Sequence, residues 1–228
     1  MLEFFLNHIS FQPDTLELLN KLHARPNSEH QRHLERLAEE AQAIAKPKAV
    51  YRVAAIDQRG EDYVVLGGTT FRSRILAVNL KQVYRAFPFV ATCGVELDKW
   101  VASKDDTLDH FYADAIAERA LRAAIQTLVD HITEHFRPDG LSEMNPGSLA
   151  DWPLYEQKPL FSLLGDSPAM IGVSLLPGML MTPAKSVSGI WFPKAESFAS
   201  CQLCPMPKCP GRRAPYEPDL AARKYGIS

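Results

Sequence analysis

The stretch from Met144 to Phe192, MNPGSLADWPLYEQKPLFSLLGDSPAMIGVSLLPGMLMTPAKSVSGIWF, decides how the rest of the chain is read. It strings together a Pro146-Gly147 turn, a proline-bounded loop, a short helical segment from Gln157 to Leu164 and a closing run through Ser186-Val187-Ser188-Gly189 to Trp191-Phe192. The closing run predicts a strand whose serines share one face, and glycine at 189 marks a place where backbone packs closely.

Working outward, the residues before this stretch, DTLDHFYADAIAERALRAAIQTLVDHITEHF, predict one long alanine-rich helix capped by Asp105, Asp106 or Thr107. Upstream of it, YRAFPFVATCG reads as a buried strand, and AVYRVAAIDQRGEDYVVLGGTTF as a hairpin turning across DQRGED. Gly67-Gly68 is a turn, since no phosphate-cradling pattern follows it. NSEHQRHLERLAEEAQAIAKP predicts a helix with Leu34, Leu37, Ala41 and Ile44 on one face, capped by Asn27 or Ser28 and stopped by Pro47. Strands and helices come in blocks without strand-helix alternation, which points to an α+β class: an antiparallel twisted sheet with long helices. The expected division is a domain over residues 1-198 and a cysteine-rich tail over 199-228.

The 228 residues are 46% hydrophobic and 23% charged, with a formal net charge of -2. That balance suits a globular chain and gives no polyelectrolyte footprint, so nucleic acid is not expected as a partner. The apolar start MLEFFLNHISFQPD lacks the basic region and cleavage site of a secretory signal. No stretch reaches the roughly 20 apolar residues a membrane span needs. A cytoplasmic location is the expectation, where Cys-x-x-Cys reads as metal or redox chemistry rather than a disulfide.

The ordered landmarks of the opening stretch resemble the activation domain of cobalamin-dependent methionine synthase. In that family a Pro-Gly-Tyr loop precedes the same short helix, and a closing strand carries Ser-Val-Ser-Gly before two aromatics. The match covers about fifty residues, and landmarks in order at matching separations are more specific than any short motif alone. The resemblance implies an S-adenosylmethionine site at Asn145, Pro146, Gly147, Ser148, Ser186, Ser188 and Gly189. It also implies methyl donation to a corrinoid, with an outside protein supplying the electron. The corrinoid-binding signature is missing from this sequence, so cobalamin is expected only on a partner. Three positions depart from the family: Glu143 stands where an arginine is expected, Ser148 replaces the tyrosine after Pro-Gly, and Gln126 falls near an expected acidic residue. Arg137-Pro138-Asp139-Gly140 imitates the missing Arg-Pro loop only across a gap.

Three of the four cysteines, Cys201, Cys204 and Cys209, lie close together near the C-terminus. With Pro205 and Pro210 stiffening the backbone after two of them, they offer three soft ligands to an iron-sulfur cluster or to zinc. Cys93 is the candidate fourth ligand, or else a buried core thiol. Arg212 and Arg213 either stabilise thiolates or form a solvated basic turn. His131 and His135 in HITEH match an inverted zincin pattern, but with no supporting protease signature they read as structural. Two functions remain open: a stand-alone corrinoid activation protein serving a separate methionine synthase or corrinoid methyltransferase, and a non-catalytic module that binds the corrinoid partner and keeps only a structural metal.

Overall fold

A computed structural model describes residues 2-22, 28-194, 198-209 and 212-227. Asn27 and Pro210 lie outside the described residues. The chain opens with β1 (Leu2–Leu6), α1 (Thr15–Lys21) and α2 (Glu29–Ile44), and then lays down β2 (Lys48–Arg59), β3 (Tyr63–Leu66) and β4 (Thr69–Arg72). After α3 (Arg74–Asn79) come β5 (Arg85–Thr92), α4 (Val95–Ala102) and the long α5 (Thr107–Phe136). The last part holds β6 (Leu141–Met144), α6 (Gln157–Leu164), α7 (Ser167–Met170), the small ribbon of β7 (Ser174–Leu175) and β8 (Met181–Thr182), and β9 (Ser186–Pro193). The strands of the main sheet run β4-β3-β2-β5-β9-β6, β1 pairs with β2 as well, and every pairing is antiparallel. The α+β class expected from the sequence is the one observed.

Strand period divides the core into two. On β2 and β5, Ala49, Tyr51, Phe87, Phe89 and Ala91 face a cluster with α1, α2, α4 and α5. Val50, Ala54, Ala86 and Val90, one residue out of step, face a second cluster with α3, α6 and Trp152. Residues two apart on a strand share a face, so one sequence supplies both layers. With helices on either side, β5 is buried from Ala86 to Thr92, which is why it reads as an unbroken apolar run.

Local signals set the helix ends. The Ser28 hydroxyl accepts the Gln31 N–H at the start of α2. Asp106 accepts the N–H groups of Leu108 and Asp109, which starts α5. Arg137 then ends α5 in a left-handed conformation with φ 44°.

The tail joins the second core. Phe198, Leu220 and Tyr225 are buried in it, Leu203 and Ile227 pack against it, and the Tyr225 hydroxyl reaches Asn79 Oδ1 at 3.1 Å. Residues on both sides of residue 198 thus contribute to one cluster. Among the described residues no helix is long and apolar enough to cross a membrane.

Candidate functional site

Among the described residues β6 pairs with β9 only from Ile190 to Pro193, so the first half of β9 has β5 on one side and no described strand paired on the other. The chain leaving β6 turns into that gap. Asn145 donates its Nδ2–H to the Ser188 carbonyl at 3.1 Å, taking the place of the missing strand. Gly189 is required here, because a Cβ on it would lie 2.5 Å from both Asn145 Nδ2 and the Met144 carbonyl. Ser186 is tied down from the other side by Thr92, at 2.9 Å between hydroxyls.

The Pro146-Gly147 turn is held rigidly. Gly147 adopts φ +85°, which side-chain-bearing residues rarely adopt, and a Cβ there would meet Leu154 Cδ1 at 2.9 Å. Its N–H donates to the Trp152 carbonyl at 2.8 Å, and the Ser148 N–H to the Asn145 carbonyl at 3.1 Å. Behind the turn, Trp152 is fully buried against Phe71. Asp151 accepts the Ser73 hydroxyl and the N–H groups of Arg74 and Ile75, at 3.3 and 3.0 Å for the latter two, and so pins the loop to α3. Glu156 accepts the Arg72 N–H at 3.1 Å.

Between this loop, β9 and α5 lies a cleft of about 400 Å³. Asn145, Pro146, Gly147, Ser148, Ser186 and Ser188 all line it, and Gly189 sits behind as the close-packing residue. Two groups on its wall, Gln157 Oε1 and Ser188 Oγ, are buried with no hydrogen-bond partner among the described residues. Orphaned buried polar atoms cost stability unless something arrives to satisfy them. A larger cleft of about 530 Å³, near Asn79, Lys81, Asp139 and Lys194, holds none of the seven expected ligand-binding residues.

Among the described residues three that carry charge reach the candidate cleft: Arg122 from α5, Glu143 from β6 and Arg213 from the tail. Sequence reasoning assigned no contact there to Arg122 or to the neighbouring Ile125. Their spacing of three on α5 puts them on one face, but only the fold shows that this face meets β9. Gln126 bonds Asp130 at 2.8 Å and does not line the cleft. Arg137, at the far end of β6, does not reach it either. Glu143, the departure of reversed charge, is paired with the Arg213 guanidinium.

The four cysteines are not brought together. Cys93 is buried in the α5-side core, where burial and the nearby Asp98 charge push its thiol up to about 12. The cysteine loop packs instead through Leu203 against the cluster on the opposite side of the sheet. Among the described residues no three His, Cys, Asp or Glu side chains are grouped as an iron-sulfur or zinc centre would need. What organises the loop is Arg212, which donates to the carbonyls of Cys201 at 3.0 Å, Cys204 at 3.1 Å, Ala214 at 3.1 Å and Met206. Cys201 Sγ accepts the Arg213 N–H at 3.4 Å. Burial opposes ionisation of that thiol, but the N–H groups of Arg213 and Ala214 and the Arg213 charge outweigh it and hold Cys201 below the ordinary thiol range. His131 and His135 stack at 3.9 Å between centroids, with His131 Nδ1 on the Tyr51 hydroxyl at 2.7 Å, in keeping with a structural pair.

No protein-family model and no curated protein matches the chain. Among solved structures, the crystal structure of the MetH reactivation domain bound to AdoHcy is similar: 15% identical over 88% of this chain and 81% of that one, with a TM-score of 0.62. At that identity the likeness is one of fold, and it agrees with the resemblance carried by the Met144 to Phe192 stretch.

Proposed function

We propose that the cleft binds S-adenosylmethionine and its product S-adenosylhomocysteine. In this reading the chain is a stand-alone activation protein that assists reductive remethylation of cobalamin on a separate methionine synthase or corrinoid methyltransferase. The observation that carries the reading is the convergence of Asn145 to Ser148 with Ser186 and Ser188, about forty residues apart, on one cleft, two of whose lining residues, Gln157 and Ser188, bury an unsatisfied polar atom. The AdoHcy on the structural neighbour is that protein's ligand and supports the same chemical class here. In the reaction one electron from a low-potential donor protein would take the cobalt of the partner's cobalamin from the cob(II) to the cob(I) state, which would supply the electron pair for the bond to the methyl group. The methyl group then leaves the sulfonium sulfur for that cobalt, and the sulfur keeps the bonding pair. This chain's part is to hold the sulfonium ligand and present its methyl group.

The test is an anaerobic assay with a cobalamin-loaded partner, a chemical one-electron reductant and S-adenosylmethionine labelled in its methyl group. Label transfer that depends on this chain supports the reading, and transfer unaffected by the chain overturns it.

A second reading, a non-catalytic module that binds the corrinoid partner without the sulfonium ligand, is favoured by Glu143 standing where the resemblance expects an arginine. It requires partner binding with no affinity for S-adenosylhomocysteine.

A further inference from the structure

We propose that Arg213, carried by the cysteine tail, selects the amino-acid end of the ligand, so that the tail forms a wall of the cleft. The inference rests on the reading above, that the cleft takes S-adenosylmethionine or S-adenosylhomocysteine. Such a ligand has a neutral adenosine end and an amino-acid end bearing one carboxylate and one ammonium. The cleft's charged residues match that end in sign, with Arg122 and Arg213 for the carboxylate and Glu143 for the ammonium. Arg213 meets Glu143 through Nη1, and a planar guanidinium with five donors is not exhausted by one carboxylate oxygen.

Burial favours the same assignment. The Glu143 side chain is 11% exposed and that of Arg213 is 43% exposed, so the carboxylate is fixed in the wall while the guanidinium stands at the open side. Arg122 and Arg213 also line an adjoining cleft of about 560 Å³ with Lys21, Arg119 and Arg212, against Glu17 and Glu118. The potential on that side is positive and draws an anionic group toward the two shared arginines. The cysteine loop acquires a role in this arrangement. Arg212 ties its carbonyls together, Cys201 Sγ receives the Arg213 N–H, and together they set where the Arg213 side chain begins. Arg213 is thus a binding residue, and Arg212 and Cys201 are positioning residues behind it.

The experiment is calorimetric titration of the full chain with S-adenosylhomocysteine and with 5′-deoxy-5′-methylthioadenosine, which keeps the adenosyl thioether and lacks the amino-acid end. The unmodified chain is expected to prefer S-adenosylhomocysteine by about tenfold or more. Arg213→Ala is expected to remove most of that preference while methylthioadenosine binds as before, which also shows that the variant is folded. An unchanged ratio in Arg213→Ala, equal loss of both ligands, or no preference in the unmodified chain overturns the proposal and leaves the function reading standing. Binding of neither ligand to the unmodified chain sinks that reading first and the proposal with it.

Discussion

Arg213 of the tail and Glu143 at the end of β6, seventy residues apart, form an ion pair on the wall of the ligand cleft. A carboxylate this well buried is costly unless a cation meets it, and here the cation comes from the segment that also carries the cysteine loop. The tail therefore contributes a residue to the wall of the cleft.

Tail packing gives the first expectation. Tyr225 is 1% exposed and bonded to Asn79, so Tyr225→Ala should destabilise the whole domain by about 3 kcal/mol. Urea unfolding followed by fluorescence measures this. A change confined to protease sensitivity of the last residues would show the tail to be separate.

Ser188 separates a cost to the empty fold from a gain on binding. Its hydroxyl is buried without a partner among the described residues, so Ser188→Ala should leave the ligand-free chain as stable or raise its stability by up to about 1 kcal/mol. The same change should weaken S-adenosylhomocysteine by about three- to tenfold if the hydroxyl meets the ligand. Paired thermal melts, with and without ligand, read both effects. A loss of stability without ligand would show that the hydroxyl already has a partner.

The thiols should differ in reactivity. Cys201 is held below the ordinary thiol range and is partly accessible, whereas burial pushes Cys93 to about 12. Iodoacetamide at pH 7 followed by peptide mass analysis should label Cys201 early and Cys93 only after unfolding. Early labelling of Cys93 would contradict its placement in the core.

Much of the fold was legible because the periodic signals were strong. Asp106 caps α5 as one of the three candidates, and Gln157–Leu164 is helical over the expected bounds. The short elements α3, α7, β7 and β8 carry too few residues for a period to show. The candidate cleft was half legible: the turn and the serine strand declare themselves locally, whereas Arg122 and Arg213 enter by tertiary packing from a helix and a tail. At the cysteines, Cys-x2-Cys-x4-Cys permits convergence without enforcing it. Here the backbone of that loop closes around Arg212 instead.

Stability should fall on mild acidification partly through His131. Burial and the neighbouring His135 charge hold His131 below the ordinary histidine value of 6.5, so the unfolded chain binds more protons than the folded one below that pH. Its contribution is fully present above about pH 6.5 and is lost as pH falls toward the lowered folded value. Urea midpoints at pH 7.5, 6.5 and 5.5 should decline, and less steeply in His131→Gln. Parallel declines in the two proteins would contradict this origin.

The central claim, that the Asn145 to Ser148 turn and the Ser186 to Gly189 strand enclose a sulfonium-ligand site, is tested most directly by calorimetric titration with S-adenosylhomocysteine of the full chain and of Gly147→Val. A valine at φ +85° collides with Leu154 and must displace the turn while the two core clusters stay packed. Saturable binding at micromolar ligand that Gly147→Val weakens by about tenfold or more is the result expected. No heat at millimolar ligand, or equal binding by both proteins, would contradict it.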